Sequence, residues 1–117
     1  MKAKFSCFVI MPFRKDFDEV YQQHIKPLIQ EQLDSVECIR IDEKPKLSES
    51  IVKNIQREIT RCTFAIADIT GLNPNVFYEI GLAHAQKKKV ILIKNKSIGK
   101  LPFDISHLPV IVYDRDA

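Results

Sequence analysis

The stretch Phe64-Ala-Ile-Ala-Asp68-Ile-Thr-Gly71-Leu-Asn73-Pro74 constrains this chain most, because a short apolar run closes on a carboxylate and then breaks into turn residues and a helix start. Four apolar residues are the length of a parallel strand buried on both faces, and Asp68 is the first charged group after them. Its carboxylate is therefore expected at the C-terminal edge of a sheet. Gly71 permits the turn, Asn73 can accept hydrogen bonds from the free amides of the next helix, and Pro74 suits the first helical position, where a missing N–H costs nothing. Asn75 and Glu79 are four apart and share a helix face, while Val76, Ile80 and Ala83 form a neighbouring apolar stripe that can pack on the sheet. Open α/β sheets bind ligands at such junctions, so Asp68, Asn75 and Glu79 are candidates to converge on one crevice. Each also has a plainer role: Glu79 as a solvated helix residue, Asp68 and Asn75 as turn and first-turn caps.

The rest of the chain repeats the strand and helix alternation. Phe5 to Met11 reads as a first strand, and Phe17, Val20, Tyr21, His24, Ile25 and Leu28 then recur at helical spacing, with a kink expected at Pro27. Val36 to Ile41 reads as a second strand. Ser48 is placed to cap a helix whose stripe is Ile51, Val52, Ile55 and Ile59, followed by a third strand at about 62–67 and a helix at about 74–87. Lys87-Lys88-Lys89 marks that helix's end, where basic groups complement the partial negative charge of the terminus. Val90 to Ile93 is the fourth strand, Asn95 to Pro109 is mostly loop, and Val110 to Tyr113 is the last strand. This pattern predicts one α/β domain over residues 1–117: a flavodoxin-like, doubly wound, five-stranded parallel sheet of order 2-1-3-4-5. A final helix is lacking after the fifth strand, so one sheet face is expected to be covered by self-association or by a flanking segment.

That topology puts the ligand crevice between the first and third strands. Met11, Pro12, Phe13, Arg14 and Phe17 would wall one side and Asp68 to Glu79 the other, with Asp42 near enough to contribute. Arg14 and Lys15 either contact a phosphate or form an ordinary exposed basic loop. Arg40 and Asp42 either position a ribose or base or pair with each other. His24, His84 and His107 are isolated, and no His, Cys and acidic cluster has metal-ligand spacing, so neither a metal nor another cofactor is expected. Cys7, Cys38 and Cys62 each lie in or beside an apolar run without a CxxC pair and read as reduced core residues, which favours a cytoplasmic location. The +3 charge comes from 18 basic and 15 acidic residues spread along 117, with no basic stripe interleaved with aromatics, so nucleic acid is not an expected partner. No apolar stretch approaches the roughly 20 residues that span a bilayer, and no signal pattern opens the chain, so a soluble, unprocessed protein is expected.

Over nearly its whole length the chain resembles the nucleoside 2-deoxyribosyltransferase-like group, including related bacterial TIR-like domains. The resemblance is carried by Phe8-Val-Ile-Met-Pro-Phe13, Arg40-Ile-Asp42, the 66–85 run and Val110-Ile-Val-Tyr113, most specifically by Tyr78-Glu79-Ile-Gly81-Leu-Ala83. It implies that Glu79 is the nucleophile and that Asp68 lies near the base or sugar. The chain departs from many transferases in having Met11-Pro12-Phe13-Arg14-Lys15 where they carry a glycine-containing loop. The implied activity is cleavage or transfer at the N-glycosidic bond of a nucleoside or nucleotide, with a small-molecule partner and a homo-oligomer in which a neighbouring subunit can complete the site. Two other readings remain open: a TIR-like NAD nucleosidase, and a non-catalytic nucleotide-sensing or assembly module.

Overall fold

The computed structural model describes residues 5–12, 15–33, 35–41, 50–96 and 108–114. It contains strands β1 (Phe5–Ile10), β2 (Val36–Arg40), β3 (Phe64–Asp68), β4 (Lys89–Asn95) and β5 (Val110–Tyr113). Helices α1 (Lys15–Val20), α2 (Lys26–Gln32), α3 (Ile51–Arg61) and α4 (Pro74–Ala85) lie between them, and a π-helical turn, Tyr21–Ile25, joins α1 to α2. All four strand pairings are parallel and the order is β2-β1-β3-β4-β5, as the alternating pattern predicts. Right-handed crossovers then put α1 and α2 on one face and α3 and α4 on the other.

Side-chain alternation along the strands builds a core on each face. Cys7, Val9 and Ile66 pack with Phe17, Val20 and Tyr21 on one face. Phe8, Ile10, Ala65, Ala67 and Leu92 pack with Ile59, Val76, Ile80 and Ala83 on the other, so the predicted stripe of α4 is its buried face. All three cysteines are free and buried. Cys7 pairs in register with Cys38, and the neighbouring thiol together with burial pushes Cys7 well above the ordinary thiol range. Burial raises Cys62 as well, so neither offers a thiolate near neutral pH.

The kink expected at Pro27 takes the form of the π turn. Lys26 N–H reaches back five residues to the Tyr21 carbonyl, and Pro27 falls at the start of α2, where no donor is needed. The cap of α3 is Ser50 and not Ser48, which lies outside the described residues. Ser50 Oγ accepts from Lys53 N–H at 3.2 Å. The apolar stripe expected there is also a turn too long. Ile51 and Val52 are 56% and 44% exposed, whereas the buried residues are Asn54, Glu58 and Ile59. Glu58 carries its charge inward because Arg57 and Arg61 lie 3.8 and 3.3 Å from its carboxylate. Removing the cap in Ser50→Ala should cost about 1 kcal/mol in urea unfolding, and a loss below a few tenths would mean that α3 starts elsewhere.

The lysine run acts across helices. Lys88 Nζ donates to the carbonyls of Thr60 at 3.0 Å and Cys62 at 2.8 Å, closing the C-terminus of α3 rather than that of α4. The end of α4 is closed by its own backbone, with Lys88 N–H donating to Ala83 O and Lys87 N–H to His84 O, both at 2.9 Å. This geometry puts Lys87 at φ 59°, a position that glycine occupies without strain. Lys87→Gly should therefore raise stability by about 0.5–1 kcal/mol, measurable as a higher melting temperature; a lower one would mean that the lysine side chain contributes more than its backbone strain removes.

With no described helix after β5, a groove of about 550 Å³ lies along the sheet face next to α1, the π turn and α2. Val20, Ile25, Leu28, Ile93, Ile111 and Tyr113 form its apolar lining.

Candidate functional site

The sheet reverses its direction of growth between β1 and β3, and the crevice above their C-terminal ends is the candidate site. From the β1 side, Met11 and Phe17 are almost fully buried and Pro12 is half-buried. Phe13, Arg14 and Asp42 lie outside the described residues. A methyl group placed on Gly71 would meet the Phe17 ring at 3.7 Å, so α1 and the β3–α4 connection approach here, with Phe17 as packing beneath the crevice.

The turn after β3 is closed by Leu72 N–H donating to Ile69 O at 3.0 Å. Its left-handed residue is Leu72, at φ 49°, and not Gly71, whose φ is negative. What Gly71 contributes is closeness to Phe17. Asn73 caps α4 as expected, its Oδ1 accepting from Asn75 N–H at 2.8 Å, and Pro74 takes the first helical position. Asn75 is exposed and enters the cap through its backbone.

Asp68 is 1% exposed and sits in a polar cluster at the sheet edge. Its Oδ1 accepts from Thr70 N–H at 2.9 Å and from the Thr70 hydroxyl at 2.5 Å, and its Oδ2 accepts from the Tyr113 hydroxyl at 2.5 Å. Thr70 Oγ1 in turn accepts from Asn95 N–H at 2.9 Å. The cluster thus links the ends of β3, β4 and β5. An Asp-x-Thr step after a strand is a local turn signal that can suggest Thr70. Tyr113 is 45 residues from Asp68, and nothing short of the strand order brings it there.

Glu79 lies in the second turn of α4, half-buried beside Ile80. Burial raises its pKa from 4.5 to about 7, so the carboxyl group is poised between its two forms near neutral pH. At the end of β2, Arg40 has partners on α1 and the π turn, while the pairing with Asp42 expected of it falls outside the described residues. It is buried, lies 2.7 Å from the Asp18 carboxylate of α1 and stacks 4.9 Å from the Tyr21 ring centre. Among the described residues no three His, Cys, Asp or Glu side chains are grouped to hold a metal ion, and no helix is long and apolar enough to cross a membrane.

The fold and the crevice together define an α/β protein of the flavodoxin-like kind with a buried carboxylate at its switch point. Solved structures share that fold. The TIR domain of a Toll-related receptor from Hydra magnipapillata superposes with a TM-score of 0.75 at 12% identity, over 97% of this chain and 88% of the other. A 2-deoxyribosyltransferase from Leishmania mexicana gives 0.62 at 20% identity, over 77% of this chain and 64% of the enzyme. The CMP N-glycosidase of Clostridium botulinum gives 0.60 at 20% identity, over 93% and 89%. These neighbours match the resemblance drawn from the sequence and, at such identities, show the fold. No protein-family model and no curated protein sequence matches the chain.

Proposed function

We propose that this protein breaks the N-glycosidic bond of a nucleoside or nucleotide through Glu79. The observation that carries this reading is a half-buried carboxyl group, raised to about pKa 7, on the helix that begins at the switch-point crevice. Two of the proteins sharing its fold are named as a 2-deoxyribosyltransferase and a CMP N-glycosidase, which supports the same chemistry. A Glu79 oxygen would attack C1′ on the face opposite the base. The C1′–N bond breaks, the base leaves with its electron pair and takes a proton, and an ester joins the sugar to the enzyme. Water resolves that ester in a hydrolase, and a second base does so in a transferase. A carboxylate suits the attack because the transition state has oxocarbenium character, as in retaining glycoside hydrolysis.

Asp68, 1% exposed and held by Thr70 and Tyr113, would orient the sugar or base indirectly, by bracing the turn that opens α4. Met11, Pro12, Phe13, Arg14, Phe17, Asp42 and Asn75 are proposed as the binding surface around it. The deciding experiment measures base release from ribonucleosides, deoxynucleosides, their monophosphates and NAD, with and without an acceptor base. Release of a purine or pyrimidine supports the proposal, and transfer to the added base identifies a transferase. Free nicotinamide from NAD identifies the TIR-like alternative. A folded protein that binds nucleotides and releases nothing is a sensing or assembly module, a reading that a receptor's TIR domain among its neighbours keeps in play.

A further inference from the structure

We infer that Tyr113, acting through Asp68 and Thr70, is a positioning residue that sets where α4 presents Glu79; the kinetic part of this inference rests on the reading of Glu79 given above. The turn between β3 and α4 spans only Ile69 to Asn73, so whatever fixes its first residues fixes the start of the helix. Those residues are held from three strands at once. Ile69 N–H donates to Ile93 O of β4 at 3.0 Å, Thr70 is bonded to Asp68 of β3 through both its amide and its hydroxyl, and the Asp68 carboxylate is gripped from β5 by Tyr113. The Tyr113 hydroxyl also lies 3.3 Å from Thr70 Oγ1, so a single phenol reaches both members of the turn's anchor.

The far end of α4 is fixed independently, by the backbone closure at Lys87 and Lys88 and by the contact of Thr60 with Gln86 at 3.0 Å. With both ends held, the height of Glu79 above the sheet follows from the anchor at the turn. Asp68 is 1% exposed, so this anchor works as an internal brace rather than as a surface that meets a ligand. An aspartate with a hydroxyl donor on each oxygen holds its direction far better than one solvated by water, which is what a residue placing a reactive group one element away needs.

The test compares the full chain with Tyr113→Phe, Thr70→Val and Thr70→Ser by amide hydrogen exchange and by steady-state base release. Tyr113→Phe should speed exchange at the Thr70 and Leu72 amides by about tenfold or more while Val9 and Ile59 change by less than about twofold. Thr70→Val should do the same, and Thr70→Ser, which keeps the hydroxyl, should restore protection. In kinetics Tyr113→Phe should lower kcat by about 10- to 30-fold with KM within about twofold, because the sugar still binds but the nucleophile is misplaced. Unchanged exchange at the turn, an equal rise throughout the chain, or a KM rise at constant kcat would each overturn the inference. Wild-type protein without product would overturn the reading of Glu79, and the exchange comparison would then decide alone whether Tyr113 sets the turn.

Discussion

Glu79→Gln should abolish base release, lowering kcat/KM on the order of 10³-fold or more, because the amide cannot form the glycosyl ester. For the wild type, kcat/KM should fall about tenfold per pH unit below about 7, since attack needs the ionised carboxylate and burial has raised its pKa to about 7. Stability should move the other way. A carboxyl group whose pKa rises from 4.5 unfolded to about 7 folded favours the native state when protonated. That contribution is full below pH 4.5 and is lost as pH climbs through 7. Above that range the wild type bears an awkwardly buried charge, and Glu79→Gln should be the more stable protein by on the order of 2 kcal/mol at pH 8, the gap closing on acidification. Denaturant titrations of both proteins at pH 5 and pH 8 read this difference. A variant that loses activity and gains alkaline stability fits a reactive carboxylate; one that keeps its activity removes Glu79 from the chemistry, whatever its stability.

Asp68→Ala should be the most destabilising single change at the sheet edge, costing about 3 kcal/mol and on the order of 10 °C in melting temperature. Truncation leaves the Thr70 amide, the Thr70 hydroxyl and the Tyr113 hydroxyl without the carboxylate that accepts from them, in a place where Asp68 itself is 1% exposed. Combining Asp68→Ala with Tyr113→Phe should cost clearly less than the two changes summed, because the second removes a donor that the first has already orphaned. Additive losses, or a loss below about 1 kcal/mol for Asp68→Ala, would mean that water replaces the carboxylate and that the cluster is not a brace.

These two residues also show where reading the sequence succeeds and where it stops. The placement of Asp68 at the end of a strand and of Glu79 on the following helix was legible because strand, turn and helix start are local: four apolar residues, then Asn73-Pro74, then an apolar stripe of period 3.6. The strand order followed from the same logic, since parallel strands buried on both faces read as continuous apolar runs. Geometry that depends on partners distant in sequence stayed hidden. Arg40 finds Asp18 and Tyr21 only once α1 lies over β2, and Tyr113 reaches Asp68 only across β4. Local geometry was elusive as well where two similar residues competed: Ser50 rather than Ser48 caps α3, and Leu72 rather than Gly71 takes the left-handed turn position. Whether a helix glutamate is withdrawn from water is likewise a property of the packed helix, which is why the residues alone favoured a solvated Glu79 and only the family resemblance pointed to the nucleophile.

The position of β1 bears on how the chain is made. It is synthesised before both of its sheet neighbours and becomes an interior strand, so its two hydrogen-bonding edges wait for later segments, Val36–Arg40 on one side and Phe64–Ala67 on the other. Ser6 meets Thr63 across 57 residues of chain. At translation speeds of about 5–20 residues per second, Phe8-Val-Ile10 spends roughly 3–11 s as an apolar strand with an open edge before β3 has been made. Shielding of that nascent edge is therefore expected to matter, and lower growth temperature or added chaperone should raise the yield of folded protein even for variants whose finished fold is no more stable than the parent.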